Sequence, residues 1–330
     1  MFDTSGGKKT LVIGAMGQIG QELLEALYLQ KGTEAVIAAD IRAPKTPLEG
    51  KFAELNVMER DALIDLIKSH EVGEVYNLAA ILSAKGEQHP ELAWDLNMTG
   101  LLNCLEAARQ TGLEKVFWPS SIAVFGPSSP QAHTPQYCSM DPNTVYGISK
   151  LAGERWCEYY AARYGVDVRS LRYPGLISYK AAPGGGTTDY AVDIFHQALQ
   201  HGRYTSFLDA HSRLPMLYMK DALQATIQLM SVPRERLRIR SSYNLNGLSF
   251  TPAELTQAIQ VFMPALEVSY APDFRQHIAN SWPDSIDDRY AREDWGWRPS
   301  YSLEEMTREM LGNLAPTYGV NLMTEKAGTS

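Results

Sequence analysis

The amino-acid sequence predicts an α/β fold in which a doubly wound parallel sheet is followed by a smaller C-terminal lobe. Three observations support this prediction. Short β-branched runs alternate with longer helical periods in the first half, a glycine-rich turn follows the first run, and loop-rich sequence replaces the alternation after residue 177. Alternating strands and helices give parallel βαβ units.

The composition is that of a globular chain with a sizeable core. The 330 residues are 45% hydrophobic and 21% charged. A net charge of −8 and a pI near 5.5 argue against nucleic acid or an anionic membrane as the main partner. Residues 1–9 lack a targeting pattern, and no run of about 18 apolar residues occurs, so we expect a cytoplasmic protein. We also expect a loose N-terminus and a frayed tail over residues 324–330.

The elements of the first half follow one another in the order that a parallel sheet requires. We predict strands over 10–14, 35–40, 74–78, 115–119 and 167–172, and helices over 18–30, 59–69, 91–111 and 145–164.

A glycine-rich turn directly follows the first predicted strand. It contains Gly14, Gly17, Gln18, Ile19 and Gly20. Glycine at these spacings lets the chain turn tightly and lets its backbone approach a pyrophosphate at a helix N-terminus. This pattern predicts a dinucleotide site of the Rossmann type.

An acidic residue occupies the position that binds the adenosine ribose in a dinucleotide site of this type. Asp40 ends the second predicted strand, twenty residues after Gly20, and can accept hydrogen bonds from an adenosine ribose. Its charge should repel a 2′-phosphate, which favours NAD over NADP. Arg42 leaves the alternative open, because it could pair with that phosphate.

Ligands of such sheets bind at the carboxyl ends of the strands. We therefore expect the glycine-rich turn, Asp40, residues 78–81 and residues 120–122 to converge on one crevice.

Tyr146 and Lys150 are four residues apart on a predicted helix, so their side chains share one face. A phenol titrates near pH 10 in water, and a cation about 4 Å away stabilises the phenolate. We therefore predict that Lys150 lowers the pKa of Tyr146 and that Tyr146 accepts a proton.

Ser121 follows the preceding strand, where its hydroxyl could bind the oxygen that loses a proton. Together Ser121, Tyr146 and Lys150 resemble the catalytic triad of the extended short-chain dehydrogenases/reductases. In that superfamily's Ser-x-x-x-x-Gly pattern, Ser121 to Gly126 selects Ser121 rather than Ser120. The resemblance implies that these three residues are catalytic.

The same resemblance implies a Rossmann domain that binds NAD. The implied cofactor-binding residues are Gly14, Gly17, Gln18, Ile19, Gly20, Asp40, Ile41, Arg42, Leu55, Asn56, Leu78, Ala79, Ala80, Asn97, Tyr146, Lys150, Tyr173 and Pro174.

Within the superfamily, three segments resemble the short-chain L-threonine 3-dehydrogenases. They are residues 77–87, residues 171–180 with the loop 184–190, and residues 214–219. The resemblance implies NAD-dependent oxidation of the L-threonine 3-hydroxyl to 2-amino-3-ketobutyrate, with Tyr146 as base. The implied substrate-binding residues are Ser83, Ser121, Tyr146, Gly184, Thr187, Thr188 and Trp282, and Thr187 and Thr188 are alternatives as the main contact.

The residues themselves leave some of these roles open. The glycine run 184–186 could form a lid whose N–H groups bind a carboxylate, or it could be a flexible surface loop. Isolated tryptophans are usually core, and we expect Trp295 and Trp297 to be buried there. Arg172 and Arg213 are either structural or neutralise a carboxylate.

We expect an NAD-binding domain over residues 1–177 and a substrate-binding lobe over 178–330. Segments at about 218–246, with a helix over 220–230 and a strand over 243–245, would return to the first domain. The seven histidines and three cysteines show no metal-ligand spacing, so we predict no metal site.

The superfamily also implies a homodimer formed through a four-helix bundle of the helices 91–111 and 145–164. Candidate contacts, which could equally be intrachain core, are Leu101, Leu102, Leu105, Trp156 and Tyr160.

Two other functions remain possible from the sequence. Nucleotide-sugar 4-epimerases and dehydratases share the catalytic core but release no reduced NAD, and a non-catalytic NAD-sensing scaffold would keep the fold alone. The compact glycine-rich loop favours a small amino acid over a nucleotide sugar.

Overall fold

The computed structural model describes residues 8–320 and residue 322. Most of the predicted loose N-terminus and the predicted frayed tail over 324–330 lie outside these residues. No helix in the described part is long and apolar enough to cross a membrane.

Up to β5, helices separate the strands of the described residues except between β2 and β3, and two helices, α3 and α4, lie between β4 and β5. The strands are Lys9–Ile13 (β1), Val36–Asp40 (β2), Lys51–Glu54 (β3), Val72–Asn77 (β4), Lys115–Phe117 (β5), Ser120–Ser121 (β6), Val168–Arg169 (β7), Leu171–Tyr173 (β8), Gly175–Ile177 (β9), Arg203–Ser206 (β10), Leu214–Tyr218 (β11), Tyr243–Asn244 (β12), Leu248–Phe250 (β13) and Glu267–Tyr270 (β14). The helices are Gln18–Lys31 (α1), Arg60–Ser69 (α2), Ser83–Gln88 (α3), Pro90–Thr111 (α4), Val145–Tyr164 (α5), Tyr190–His201 (α6), Met219–Ser231 (α7), Pro252–Gln260 (α8), Arg275–Ala279 (α9), Arg289–Trp295 (α10) and Leu303–Tyr318 (α11).

The main sheet is parallel and has the strand order β3-β2-β1-β4-β5-β7 within the described residues. The order reverses between β1 and β4, which opens a crevice at the carboxyl ends of these strands. Helices α2, α4 and α5 pack on one face, and α1 and α7 on the other. The predicted α/β class and the doubly wound sheet are confirmed.

The predicted helices and strands of the first half lie within two residues of the observed ones, with one exception. The strand predicted over 167–172 is two strands, because the chain leaves the main sheet at Ser170. β7 pairs with β5, whereas β8 pairs with β6 and β12 in a second, three-stranded sheet. The edge strand β3 was not predicted, since its four residues carry little apolar pattern.

The second half is more helical than the loop-rich sequence predicts. Helix α11 is sixteen residues long and begins with a capping box, in which the Ser302 hydroxyl accepts the Glu305 N–H and the Glu305 carboxylate accepts the Ser302 N–H. Met306, Met310 and Leu314 recur every four residues and are buried against α6 and α8. Both signals are visible in the sequence, and the prediction overlooked them.

Two segments of the second half contact elements of the first half. Helix α7 packs against α1, and β12 extends the sheet of β6 and β8. Trp295 and Trp297 are buried in the same core, as predicted. The domain boundary at residue 177 stays a prediction.

Candidate active site

A continuous cleft runs along the carboxyl ends of the strands. It consists of two cavities of about 350 and 140 Å³ that share Leu78 and Ala80 in their walls. The first cavity contains the glycine-rich turn and Asp40, and the second contains Ser121, Tyr146 and Lys150. The segments that were expected to converge therefore meet in one crevice.

The glycine-rich turn is packed too tightly for side chains. Gly14 has a φ of +74°, and a Cβ atom there would lie 2.8 Å from the Ala79 nitrogen. A Cβ atom at Gly20 would lie 2.4 Å from the Gly14 oxygen. No side chain caps the N-terminus of α1, and Gly17 and Gln18 line the two cavities, so the positive end of the helix dipole faces the cleft. These features fit the pyrophosphate of a dinucleotide.

Asp40 is buried at the first cavity, where its carboxylate is held by the backbone. It accepts the Met16 N–H at 2.9 Å and the Arg42 N–H at 3.0 Å. The Arg42 Nε also approaches Asp40 at 3.4 Å, although the arginine side chain is mostly exposed. A carboxylate has further lone pairs, so Asp40 can still accept hydrogen bonds from a ribose. Ile41, Arg42, Leu55, Asn56 and Ala79, all expected cofactor residues, line the same cavity.

Asn97 lies behind the wall of the cleft and lines neither cavity. Its side chain accepts the Ile81 N–H at 2.9 Å and donates to the Ile81 oxygen and to Ser149 Oγ. Asn97 thus ties the segment after β4 to helices α4 and α5. Gly20, another expected cofactor residue, also lines neither cavity, whereas Lys85 lines the first one and was not expected there.

Helix α5 is pressed against the turn that follows Ser121. The Thr144 hydroxyl caps the helix by accepting the Gly147 N–H at 3.0 Å. A Cβ atom at Gly147 would lie 2.1 Å from the Ala123 oxygen, so only glycine permits this approach. The contact brings the side chains of Tyr146 and Ser121 together at the second cavity.

The expectation that Lys150 lowers the pKa of Tyr146 stays a prediction, because the lysine ammonium group is engaged by a backbone oxygen in this structure. The Lys150 ammonium group donates to the Pro119 oxygen at 2.6 Å and lies 4.4 Å from the centre of the Trp118 ring. Burial raises the pKa of Tyr146 to about 12, and the hydrogen bond with Ser121 offsets only part of this effect. Burial also lowers the pKa of Lys150 to about 7, while Cys157 and Glu154 act in the opposite direction.

The glycine run is held by a carboxylate that the sequence analysis overlooked. Asp189 accepts the N–H groups of Gly185 at 2.7 Å and Gly186 at 2.8 Å. Two of the N–H groups expected to bind a substrate carboxylate are therefore already occupied. Asp189 itself lines the second cavity, whereas Gly184 is exposed and does not.

The two candidate threonines of this loop both line the second cavity. Thr187 is fully buried, and its hydroxyl has no hydrogen-bond partner among the described residues. Thr188 is half-buried beside it. A buried hydroxyl without a hydrogen bond destabilises the fold unless a bound ligand supplies the missing partner. This favours Thr187 over Thr188 as the main substrate contact.

The remaining expected substrate residues lie at the edges of the second cavity. Ser83 begins α3 and is buried, and Trp282 is buried between this cavity and the core around α6. Tyr173 and Pro174, expected to bind the cofactor, lie in its wall.

The two arginines with open roles are not in the second cavity. Arg172 is buried in an ion pair with Glu154, and Arg213 pairs with Glu254. These contacts fit a structural role for both arginines rather than the neutralisation of a substrate carboxylate.

The fold and the cleft define an oxidoreductase of the extended short-chain dehydrogenase/reductase class with a nicotinamide cofactor. Residues 10–245 match the profile of the NAD dependent epimerase/dehydratase family. The chain belongs to this family.

Solved structures of high similarity carry a more specific name. A partial consensus L-threonine 3-dehydrogenase is 56% identical, with a TM-score of 0.92, over 93% of this chain and 99% of that one. The holo form of an L-threonine dehydrogenase from Cupriavidus necator is 55% identical, with a TM-score of 0.91, over the same shares of both chains. An uncharacterized epimerase/dehydratase of Staphylococcus aureus is 48% identical over 308 residues, which are 92% of this chain and 96% of that protein.

Proposed function

We propose that this enzyme oxidises the 3-hydroxyl of L-threonine to 2-amino-3-ketobutyrate with NAD. The observation that carries the proposal is the second cavity, in which the Ser121–Tyr146 pair shares one space with Thr187 and Asp189. The names of the similar solved structures support the same substrate.

In this proposal Tyr146 accepts the hydroxyl proton and Ser121 orients the oxygen. As the O–H bond breaks, the carbon–oxygen bond becomes double and the hydrogen on Cβ leaves with its electron pair. Bound NAD supplies the acceptor for that hydride and a positive charge close to the phenol. Because burial raises the pKa of Tyr146, the phenol needs such a charge, or a shift of Lys150 toward it, to act as a base near neutral pH.

The same cavity contains polar side chains that can bind the charged groups of an amino acid. The Asp189 carboxylate attracts the α-ammonium group, and the unpaired Thr187 hydroxyl and the Ser83 hydroxyl can donate to the α-carboxylate. This replaces the expectation that the N–H groups of the glycine run bind the carboxylate, because Asp189 holds two of them.

NAD is the proposed form of the cofactor. Asp40 presents a buried negative charge at the ribose end of the cleft, and its partner Arg42 is engaged with it. The Asp40 carboxylate would repel the 2′-phosphate of NADP at this position.

The proposal is tested by absorbance of reduced nicotinamide with NAD and with NADP. The substrates are L-threonine, L-allo-threonine, L-serine and UDP-glucose. We expect net NADH with L-threonine and NAD, and much slower reduction of NADP. Conversion of a nucleotide sugar without net NADH, together with silence toward L-threonine, would establish the epimerase or dehydratase alternative instead.

We further propose a homodimer that forms through helices α4 and α5. Of the candidate contacts, Leu101, Leu105 and Tyr160 are buried in the chain's own core, which is the alternative that the sequence left open for them. Trp156 is 40% exposed, and other exposed apolar side chains lie on these two helices: Leu92, Trp94, Ile148, Tyr159 and Tyr164. Sedimentation velocity should show a dimer that Trp156→Glu converts to monomer; a monomeric wild-type enzyme would contradict this.

A further inference from the structure

One face of helix α5 contacts three consecutive residues at the edge of the active site. Tyr146, Lys150 and Glu154 are spaced by four residues and therefore share a face. Tyr146 lies with Ser121 in the wall of the second cavity, and Lys150 donates to the Pro119 oxygen at 2.6 Å. Glu154 contacts the residue between these two. Glu154 thus extends the face formed by Tyr146 and Lys150 by one helical turn.

Glu154 is a fully buried carboxylate with three hydrogen bonds. Its Oε1 accepts Ser120 Oγ at 2.7 Å and Arg172 Nε at 2.8 Å, and its Oε2 accepts Arg172 Nη2 at 2.7 Å. A buried charge is tolerated when it is paired and fully hydrogen-bonded, as it is here. Arg155 approaches Oε2 at 3.8 Å only.

Arg172 extends this network into the second sheet. Its Nη1 donates to the Gln136 oxygen at 3.0 Å and to Asn244 Oδ1 at 2.9 Å. In the register of β6 and β8, Ser120 pairs with Arg172 and Ser121 pairs with Tyr173. Glu154 therefore holds both neighbouring strands, at Ser120 in the cavity wall and at Arg172 behind it, one residue before Ser121 and Tyr173.

We propose that Glu154 is a positioning residue, which fixes the Ser121 hydroxyl against Tyr146 by holding Ser120. The inference rests on the function proposed above, since it assigns a use to the geometry of that same site. Displacements of about 1 Å at reacting groups can cost about a hundredfold in rate, so a rigid anchor one residue away has a measurable effect. Glu154 touches neither substrate nor cofactor in this role.

Ser120→Ala is the variant that carries the test. It removes one hydrogen bond from Glu154 but leaves the ion pair with Arg172 intact, so the protein keeps its buried charges paired. Glu154→Gln is less suitable because it leaves Arg172 with an uncompensated buried charge. Ser170→Ala is the matched control: Ser170 is a buried serine at the edge of β8, and among the described residues its hydroxyl bonds only Ser242, at 2.9 Å.

We expect Ser120→Ala to lower kcat by about tenfold or more, with KM for L-threonine and Kd for NAD changed by less than about twofold. Ser120→Thr retains the hydroxyl and should recover most of kcat. Ser170→Ala should have the wild-type kcat. Each variant is compared by circular dichroism, so that folding is measured alongside kinetics.

Four results would overturn the positioning role: an unchanged kcat in Ser120→Ala, a rise in KM alone, an equal loss in Ser170→Ala, or an equal loss in Ser120→Thr. A rise in KM alone would mean that Ser120 contacts the substrate. The proposed function fails differently, by silence of the wild-type enzyme toward L-threonine. If the wild-type enzyme converts a nucleotide sugar instead, the same variants test Glu154 with that substrate.

Discussion

Tyr146 and Lys150 lie one helical turn apart, with the Lys150 nitrogen 5.5 Å from the centre of the Tyr146 ring. The ammonium group is engaged with the Pro119 oxygen, which lies on the strand side of the cavity. The two residues are therefore neighbours without a direct bond, and each has a pKa set mainly by burial. The two side chains can therefore be tested separately, Tyr146 by its effect on catalysis and Lys150 by its effect on the pH dependence of stability.

Tyr146→Phe should lower kcat for L-threonine by about 10² to 10⁴, because it removes the proposed proton acceptor. The ring remains, so the packing of α5 should be kept, and Kd for NAD from calorimetry should change by less than about twofold. Initial rates of NADH formation give the measurement. A variant with full activity would show that Tyr146 is not the base.

Lys150→Met should flatten the rise of stability with pH in the protein without added cofactor. The folded-state pKa of about 7 lies below the ordinary value of 10.5, so between these pH values the unfolded chain binds a proton that the folded chain does not. Stability then rises with pH, by at most about 1.4 kcal/mol per pH unit, and the gain is lost as the pH falls through 7.

Urea unfolding of this variant at pH 7, 8 and 9 measures the slope. Ionisation of folded Tyr146 stays outside that range because burial raises its pKa to about 12. Lys68→Met, at an exposed lysine of α2, is the control and should keep the wild-type slope. Equal slopes in wild-type and Lys150→Met proteins would contradict the lowered pKa.

Gly14→Ala should abolish measurable NAD binding, since the new Cβ atom would lie 2.8 Å from the Ala79 backbone nitrogen and would push the turn out of the cleft. Gly112→Ala is a matched control. Gly112 also has a positive φ, but a Cβ atom there would have no neighbour within 4 Å. It should lose about 1 to 2 kcal/mol of stability and retain NAD affinity. Similar NAD affinities in the two variants would refute the steric argument.

Asp40→Ser should reduce the preference for NAD over NADP by about tenfold or more, which corresponds to about 1.4 kcal/mol. The substitution removes the carboxylate that faces the ribose and releases Arg42 to meet a 2′-phosphate. The ratio of kcat/KM for the two cofactors is the measurement. Asp65→Ser makes the same charge change at an exposed site on α2, and an equal effect there would show that net charge alone is responsible.

Much of the fold was predictable because its signals are local. Eight of the nine elements predicted in the first half from β-branched runs and helical periods match observed ones, and the glycine spacing located the turn that Gly14 and Gly20 make. The strand predicted over 167–172 is wrong for a reason that lies in the tertiary structure. One extended run divides between two sheets, and no feature of the run itself shows which strand each half will pair with.

The site was predicted less completely, since its polar partners come from distant parts of the chain. The expected lid N–H groups are held by Asp189, and Lys150 bonds a backbone oxygen rather than a phenol. Hydrogen-bond partners are chosen by geometry within the folded chain, where burial makes every unpaired donor costly.

By itself, the sequence determined the parallel sheet, the glycine-rich turn with Asp40, and the candidate set of Ser121, Tyr146 and Lys150. These follow from residue type and spacing along the chain, which act over a few residues. Only the tertiary structure decided that Glu154 holds Ser120, that Asp189 holds the glycine run, and that Leu101 and Leu105 face the chain's own core. Such contacts join residues far apart in sequence, so they exist only after the packing of the helices on the sheet has brought them together.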